Sequence, residues 1–138
     1  MAGRDPLFEP WAAATIGDPV LVRTVEGEPS YWLVPVELGG RAIGFVRVTG
    51  NGRVAAAGVH YRDAQSLVDS PRLVTGIGAD EAVEQARAHL AGTAARVMAD
   101  PVFVHEGPPG REAWRVLVEV GDGSARTLFV TSGGVYER

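Results

Sequence analysis

The chain has 138 residues, 46% hydrophobic and 22% charged, a balance that is ordinary for a globular protein and argues against disorder. Its formal net charge of −4 argues against nucleic acid as a partner, because phosphate binding needs clustered positive charge. All 13 basic residues are Arg and there is no Cys, which excludes Schiff-base, P-loop-lysine, thiol, disulfide and thiolate-metal chemistry.

Asp5 as N-cap and Pro6 at the first helical position open a short helix over residues 5–15, broken at Pro10 and ended at Gly17. This start holds no apolar run of signal-peptide length, and no stretch reaches the roughly 18 apolar residues of a membrane span. The expectation is a cytoplasmic chain without membrane insertion, or an extracytoplasmic one if it is trimmed from a longer parent. Asp18-Pro19 begins an extended segment in which Val20 and Val22 face one way, and Gly27-Glu28-Pro29 turns the chain. Residues 31–38 alternate as a strand, with Trp32, Val34, Val36 and Leu38 on one face and Tyr31, Leu33, Pro35 and Glu37 on the other. Pro35 cannot donate a ladder hydrogen bond, so it marks an edge or a bulge. Gly39-Gly40 turns into a strand over residues 41–48, and Asn51-Gly52 turns again into residues 53–61.

Residues 62–78 read as a connector with one helical turn near Ala64–Val68. The clearest helix runs from Ala79 to about Leu90, with Ala82, Val83, Ala86 and Leu90 as its apolar stripe and acids in its first turns. A helical pattern resumes after Gly92 through Val97. Strands follow at 101–105, 113–120, 125–131 and 135–137, joined by Gly/Pro turns.

Residues 18–22 (Asp-Pro-Val-Leu-Val) recur at 100–104 (Asp-Pro-Val-Phe-Val), an offset of 82. The same offset pairs Trp32 with Trp114, Val34 with Val116, Val36 with Val118, Gly39 with Gly121 and Val48 with Val130. Such a register predicts an internal repeat. The expected fold is α+β, two copies of a small antiparallel sheet backed by one helix: residues 1–61, the connector 62–78, and residues 79–138. In the first copy the helix is short or broken.

The run Asp80-Glu81-Ala82-Val83-Glu84-Gln85-Ala86, the strand around Trp114 and the final Gly133-Gly134-Val135 turn resemble a PepSY-type domain, and the plan is also similar to cystatin-like sheets that wrap a helix. The resemblance covers residues 79–138 and, more loosely, 18–61; it departs from the PepSY pattern at Thr131-Ser132. It implies a non-catalytic module that binds or inhibits protein partners, and it carries no catalytic residues.

On paper, His60 and His105, with Glu106 or Asp63, make a two-His, one-carboxylate set. No His-x-x-x-His spacing supports it, so neither a metal site nor a catalytic residue is assigned, and no cofactor is expected. There is no Gly-x-Ser-x-Gly elbow, and the glycines of 39–44 and 50–52 do not open a helix. Trp32 and Trp114, at matched positions, read as core residues, with stacking on a ligand as the alternative. Trp11, beside Phe8 and Leu7, either caps a sheet or contacts a partner.

The leading reading is a small non-enzymatic protein-binding or inhibitory module that uses a sheet face or edge strand. Trp11, Phe8, Pro35, His60 and His105 are its candidate contacts. The alternatives are a small-molecule binder or minor enzyme with a pocket between helix and sheet, and a structural homodimer.

Overall fold

The computed structural model describes residues 6–61 and 64–137, so Asp5 and Asp63 lie outside the described residues. In chain order the strands are β1 (Thr15–Ile16), β2 (Val20–Thr24), β3 (Pro29–Leu38), β4 (Arg41–Thr49) and β5 (Val54–Val59). The helix α1 (Ala79–His89) follows, then β6 (Ala95–Val97), β7 (Val102–His105), β8 (Glu112–Val120), β9 (Ala125–Thr131) and β10 (Gly134–Glu137). The α+β expectation of two sheet-and-helix copies is overturned. Strand is the dominant structure among the described residues, and α1 is the single α-helix there. The physical reason lies in residues 6–13, where Pro10 removes a backbone donor inside the segment and the chain winds as a 3-10 helix, Pro6–Ala13, instead of an α-helix.

The described residues divide into two compact units, residues 6–21 with 30–61 and 64–76, and residues 22–29 with 77–137. In the first unit, β3 lies between β1 and β4, and β5 pairs with β4, all antiparallel. The β3–β4 hairpin closes at Gly39 and Gly40, whose φ values of 62° and 78° favour glycine. Val36, Ile43 and Tyr61 form the buried centre of this unit, with Trp11, Ala14, Leu38, Val46, Val59 and Leu67 packed around it. A second 3-10 segment, Ala64–Asp69, supplies Leu67. The residues after it are tied down by Ala42 N donating to the Pro71 carbonyl and by Arg41 donating to the Ser70 carbonyl, both at 2.8 Å.

In the second unit, β10, β9, β8 and β7 pair antiparallel in that order. β6 joins β8 beyond the end of β7, with Arg96 opposite Glu119 and Val97 opposite Val118. The expected helical continuation to Val97 is therefore a strand: Gly92 takes φ 86°, and the backbone finds its hydrogen bonds on β8. The end of β2 runs parallel to β7, Arg23 opposite Val104, which makes this sheet mixed.

Acids Asp80 and Glu81 sit in the first turn of α1 and Arg87 and His89 in the last, complementing the helix dipole. Ala82, Ala86 and Leu90, with Ile77, cover Val116, Val118, Leu128 and Val130. Each fully buried Val or Leu in such a cluster contributes roughly 1.5–3 kcal/mol. No helix among the described residues is long and apolar enough to cross a membrane.

Some strand pairings recur at the 82-residue offset. Val34 faces Val46 as Val116 faces Leu128, and Trp32 faces Val48 as Trp114 faces Val130. What does not recur is the α-helix over that face.

Candidate functional site

Side chains opposed across antiparallel strands share a face of the sheet. In the first unit the register aligns Trp32 with Val48 and Val48 with Val54. One turn of the pleat further along, Val34, Val46 and Ala57 form a parallel row. The far end of the face is covered. Trp11 lies so close over Gly44 that a Cβ added there would sit 2.5 Å from its Cζ2 atom. The near end is open: Trp32 is 40% exposed and Val54 66%. The result is an apolar row across three adjacent strands that meets solvent.

The second unit shows why this is a departure. The matched Trp114 is half-buried, donates its Nε1 hydrogen to the Ile77 carbonyl at 2.9 Å, and packs on Phe103 with ring centroids 5.0 Å apart. Its neighbours on that face lie under α1. The expectation that both tryptophans are core residues therefore fails for Trp32. Its strand has the same pattern, but the segment available to cover it is a Pro-interrupted 3-10 helix that ends short.

β5 borders the open row. Among the described residues it pairs with β4 alone, and residues 54–59 carry no charge and no proline. Apart from the register slip opposite Arg47 and Val48, this edge carries neither the charge nor the proline that commonly discourages further strand pairing.

The residues singled out from sequence fall elsewhere. Phe8 and Trp11 pack on each other edge to face, centroids 4.9 Å apart, and both are half-buried. Trp11 belongs to the Val36/Ile43/Tyr61 core, so it caps the sheet. Its Nε1 is buried without a hydrogen-bond partner among the described residues. Pro35 is buried, lies opposite Phe45 of β4, and its carbonyl accepts the Gly17 N–H at 3.0 Å. It thus has chain on both sides and is not an edge residue. The irregularity it announces falls one residue on, in the bulge between Val36 and Glu37.

His60 is half-buried at the end of β5, with its ring 5.4 Å from that of Phe45, in the first unit. His105 ends β7 in the second unit, its Nδ1 3.0 Å from the Gly107 carbonyl oxygen. The adjoining Glu106 is 7% exposed, with Arg111 3.9 Å from its carboxylate. No group of three His, Asp or Glu side chains among the described residues is placed to hold a metal ion.

A separate cleft of about 480 Å3 opens in the first unit between Ile16–Val20, Pro35, Glu37 and residues 73–75. Its walls are mixed, with Ile16, Val20, Pro35, Leu73 and Val74 beside Thr75 and two carboxylates, Asp18 and Glu37. The Glu37 carboxylate lies flat on the Gly17 backbone, within 2.4–2.6 Å of where a Cβ would stand. It offers shape and negative charge.

Compared with protein-family models, with curated proteins and with solved structures, the chain matches none.

Proposed function

We propose that the chain is a non-catalytic protein-binding module whose contact surface is the open end of the first unit's sheet. One observation carries this reading: Trp32, Val48 and Val54, from three adjacent strands, stand in one register row with Trp32 40% and Val54 66% exposed. Tryptophans in apolar surroundings are the commonest anchors of protein interfaces, and an open apolar row is costly to keep in water without a use. The PepSY-type resemblance points the same way, toward a module that binds or inhibits a protein.

The test is a display selection of random peptides on the immobilised chain. Peptides recovered on the wild-type protein should lose at least tenfold in affinity on Trp32→Glu. Equal binding to both proteins would sink the proposal.

A second reading, a small-molecule binder, is favoured by the cleft at Asp18 and Glu37. A thermal-shift screen with small amines separates the two, since only the cleft reading expects Glu37→Gln to abolish a shift.

A further inference from the structure

We infer that the β5 edge takes an extended, apolar segment of a partner protein as an added strand. This rests on the binding reading above and specifies how the partner is held.

The hydrogen-bond phase of β5 comes from one contact. His60 N donates to the Ile43 carbonyl at 2.8 Å, so residues 43 and 60 form a hydrogen-bonded pair. Such pairs alternate along an antiparallel ladder. Val59 opposite Gly44 and Ala57 opposite Val46 are then the non-bonded pairs, and their N–H and C=O groups point away from β4. Ala56 and Gly58 point theirs inward. No backbone group of the described residues meets Ala57 or Val59 on that outer side. Both residues are therefore ready to bond an incoming strand, and nothing charged or proline-like in 54–59 blocks it.

Area decides what the occupant is. With Trp32 40% exposed and Val54 66%, and Ala55 and Ala57 open beside them, the apolar patch is on the order of 300–400 Å2. A stable dimer buries about 800 Å2 on each partner. A second copy docking through this face alone falls well short. An extended segment does not, because main-chain hydrogen bonds along ~20 Å of strand add to the apolar contact. The added strand would extend the rows Trp32–Val48–Val54 and Val34–Val46–Ala57, so it carries apolar side chains at alternate positions. The opposite side of the strand meets Ala56, Gly58 and the Phe45 ring with Arg47 stacked on it, which leaves its identity loosely specified.

The probe is an acetylated, amidated octapeptide, Lys-Thr-Val-Thr-Val-Thr-Val-Lys, added to the full chain, with amide hydrogen exchange read residue by residue. At saturation the Ala57 and Val59 amides should slow at least tenfold while Ala56 and Gly58 change little. Ala57→Pro removes only an outward N–H, so the variant should keep its circular-dichroism spectrum and lose binding at least tenfold. Undiminished binding to that variant, absence of binding by the octapeptide, or slow exchange at Ala57 and Val59 in a concentration-dependent dimer without peptide each overturns the inference. Binding that is abolished by Trp32→Glu but leaves exchange at Ala57 and Val59 unchanged overturns strand addition and leaves the face reading standing. Slowed exchange insensitive to Trp32→Glu does the reverse.

Discussion

Gly44→Ala tests whether Trp11 is a cap on the sheet or a free contact residue. Gly44 does not have a positive φ, so alanine costs nothing in backbone conformation there. The cost is contact. The new methyl would stand 2.5 Å from Trp11 Cζ2 and 2.8 Å from the Gly58 carbonyl oxygen. The indole can leave only by abandoning Val36, Ile43 and Tyr61, and the carbonyl belongs to the strand paired with β4. Overpacking of this kind costs about 1–3 kcal/mol, and two immobile neighbours place it near the top of that range. For a chain of this length the melting temperature should fall by about 8 °C.

Gly17→Ala is the matched control. Its Cβ would come equally close, 2.4 Å, but to the Glu37 carboxylate, the far end of a side chain that can swing into the cleft. Its cost should stay below ~0.5 kcal/mol. Urea unfolding followed by far-ultraviolet circular dichroism measures both. In a Trp11→Ala background the cost of Gly44→Ala should shrink by about 1 kcal/mol or more without vanishing, since the Gly58 carbonyl remains. Equal costs for Gly44→Ala and Gly17→Ala, or full additivity with Trp11→Ala, would refute the cap.

Single-tryptophan variants should separate Trp32 from Trp114. Acrylamide should quench Trp32 at least twofold more strongly, and equal quenching would mean that the face is not open. Trp114→Phe keeps the ring packing on Phe103 but leaves the Ile77 carbonyl without its 2.9 Å donor, and should cost about 1–2 kcal/mol in the same urea assay. The Arg126 guanidinium, hydrogen-bonded to Glu137 with His89 nearby, holds the Glu137 carboxyl below the usual carboxylate range. A depressed carboxyl contributes stability above its unfolded pKa and loses it as pH falls through the folded value. Glu137→Gln should therefore flatten the acid side of the stability curve, while 1 M salt should weaken the wild-type effect; an unchanged acid limb would count against the ion pair.

Much of the strand plan was legible because it is written locally. Alternation around Trp32 and Trp114, and the Gly39-Gly40 and Asn51-Gly52 turns, placed β3, β4, β8 and β9 within two residues of where they form. The Ala82/Ala86/Leu90 stripe located α1 for the same reason. Residues 95–97 were misread because a helical pattern of Ala and Arg says nothing of a vacant ladder on β8. Pro35 was read as an edge or a bulge because a missing donor is tolerated in either; it is not an edge, since Gly17, just after β1, donates to its carbonyl, and the register slips at Val36 and Glu37. The parallel pairing of β2 with β7 joins residues about eighty positions apart and has no local signal. The open site itself was hidden by the repeat, since matched tryptophans invite matched roles.

The amino-acid sequence alone determined most of the strands, β1 and β6 excepted, with their turns and the side chains that share a face, because those follow from φ/ψ preferences and a period of two. It also removed thiol and lysine chemistry outright. Only the tertiary structure decided which of two similar faces is covered. Burial is set by what the rest of the chain can bring across a face: α1 crosses Val116 and Val118, whereas the 3-10 segment Pro6–Ala13 lays Trp11 over Val36 and Ile43 and leaves Trp32 and Val54 to the solvent.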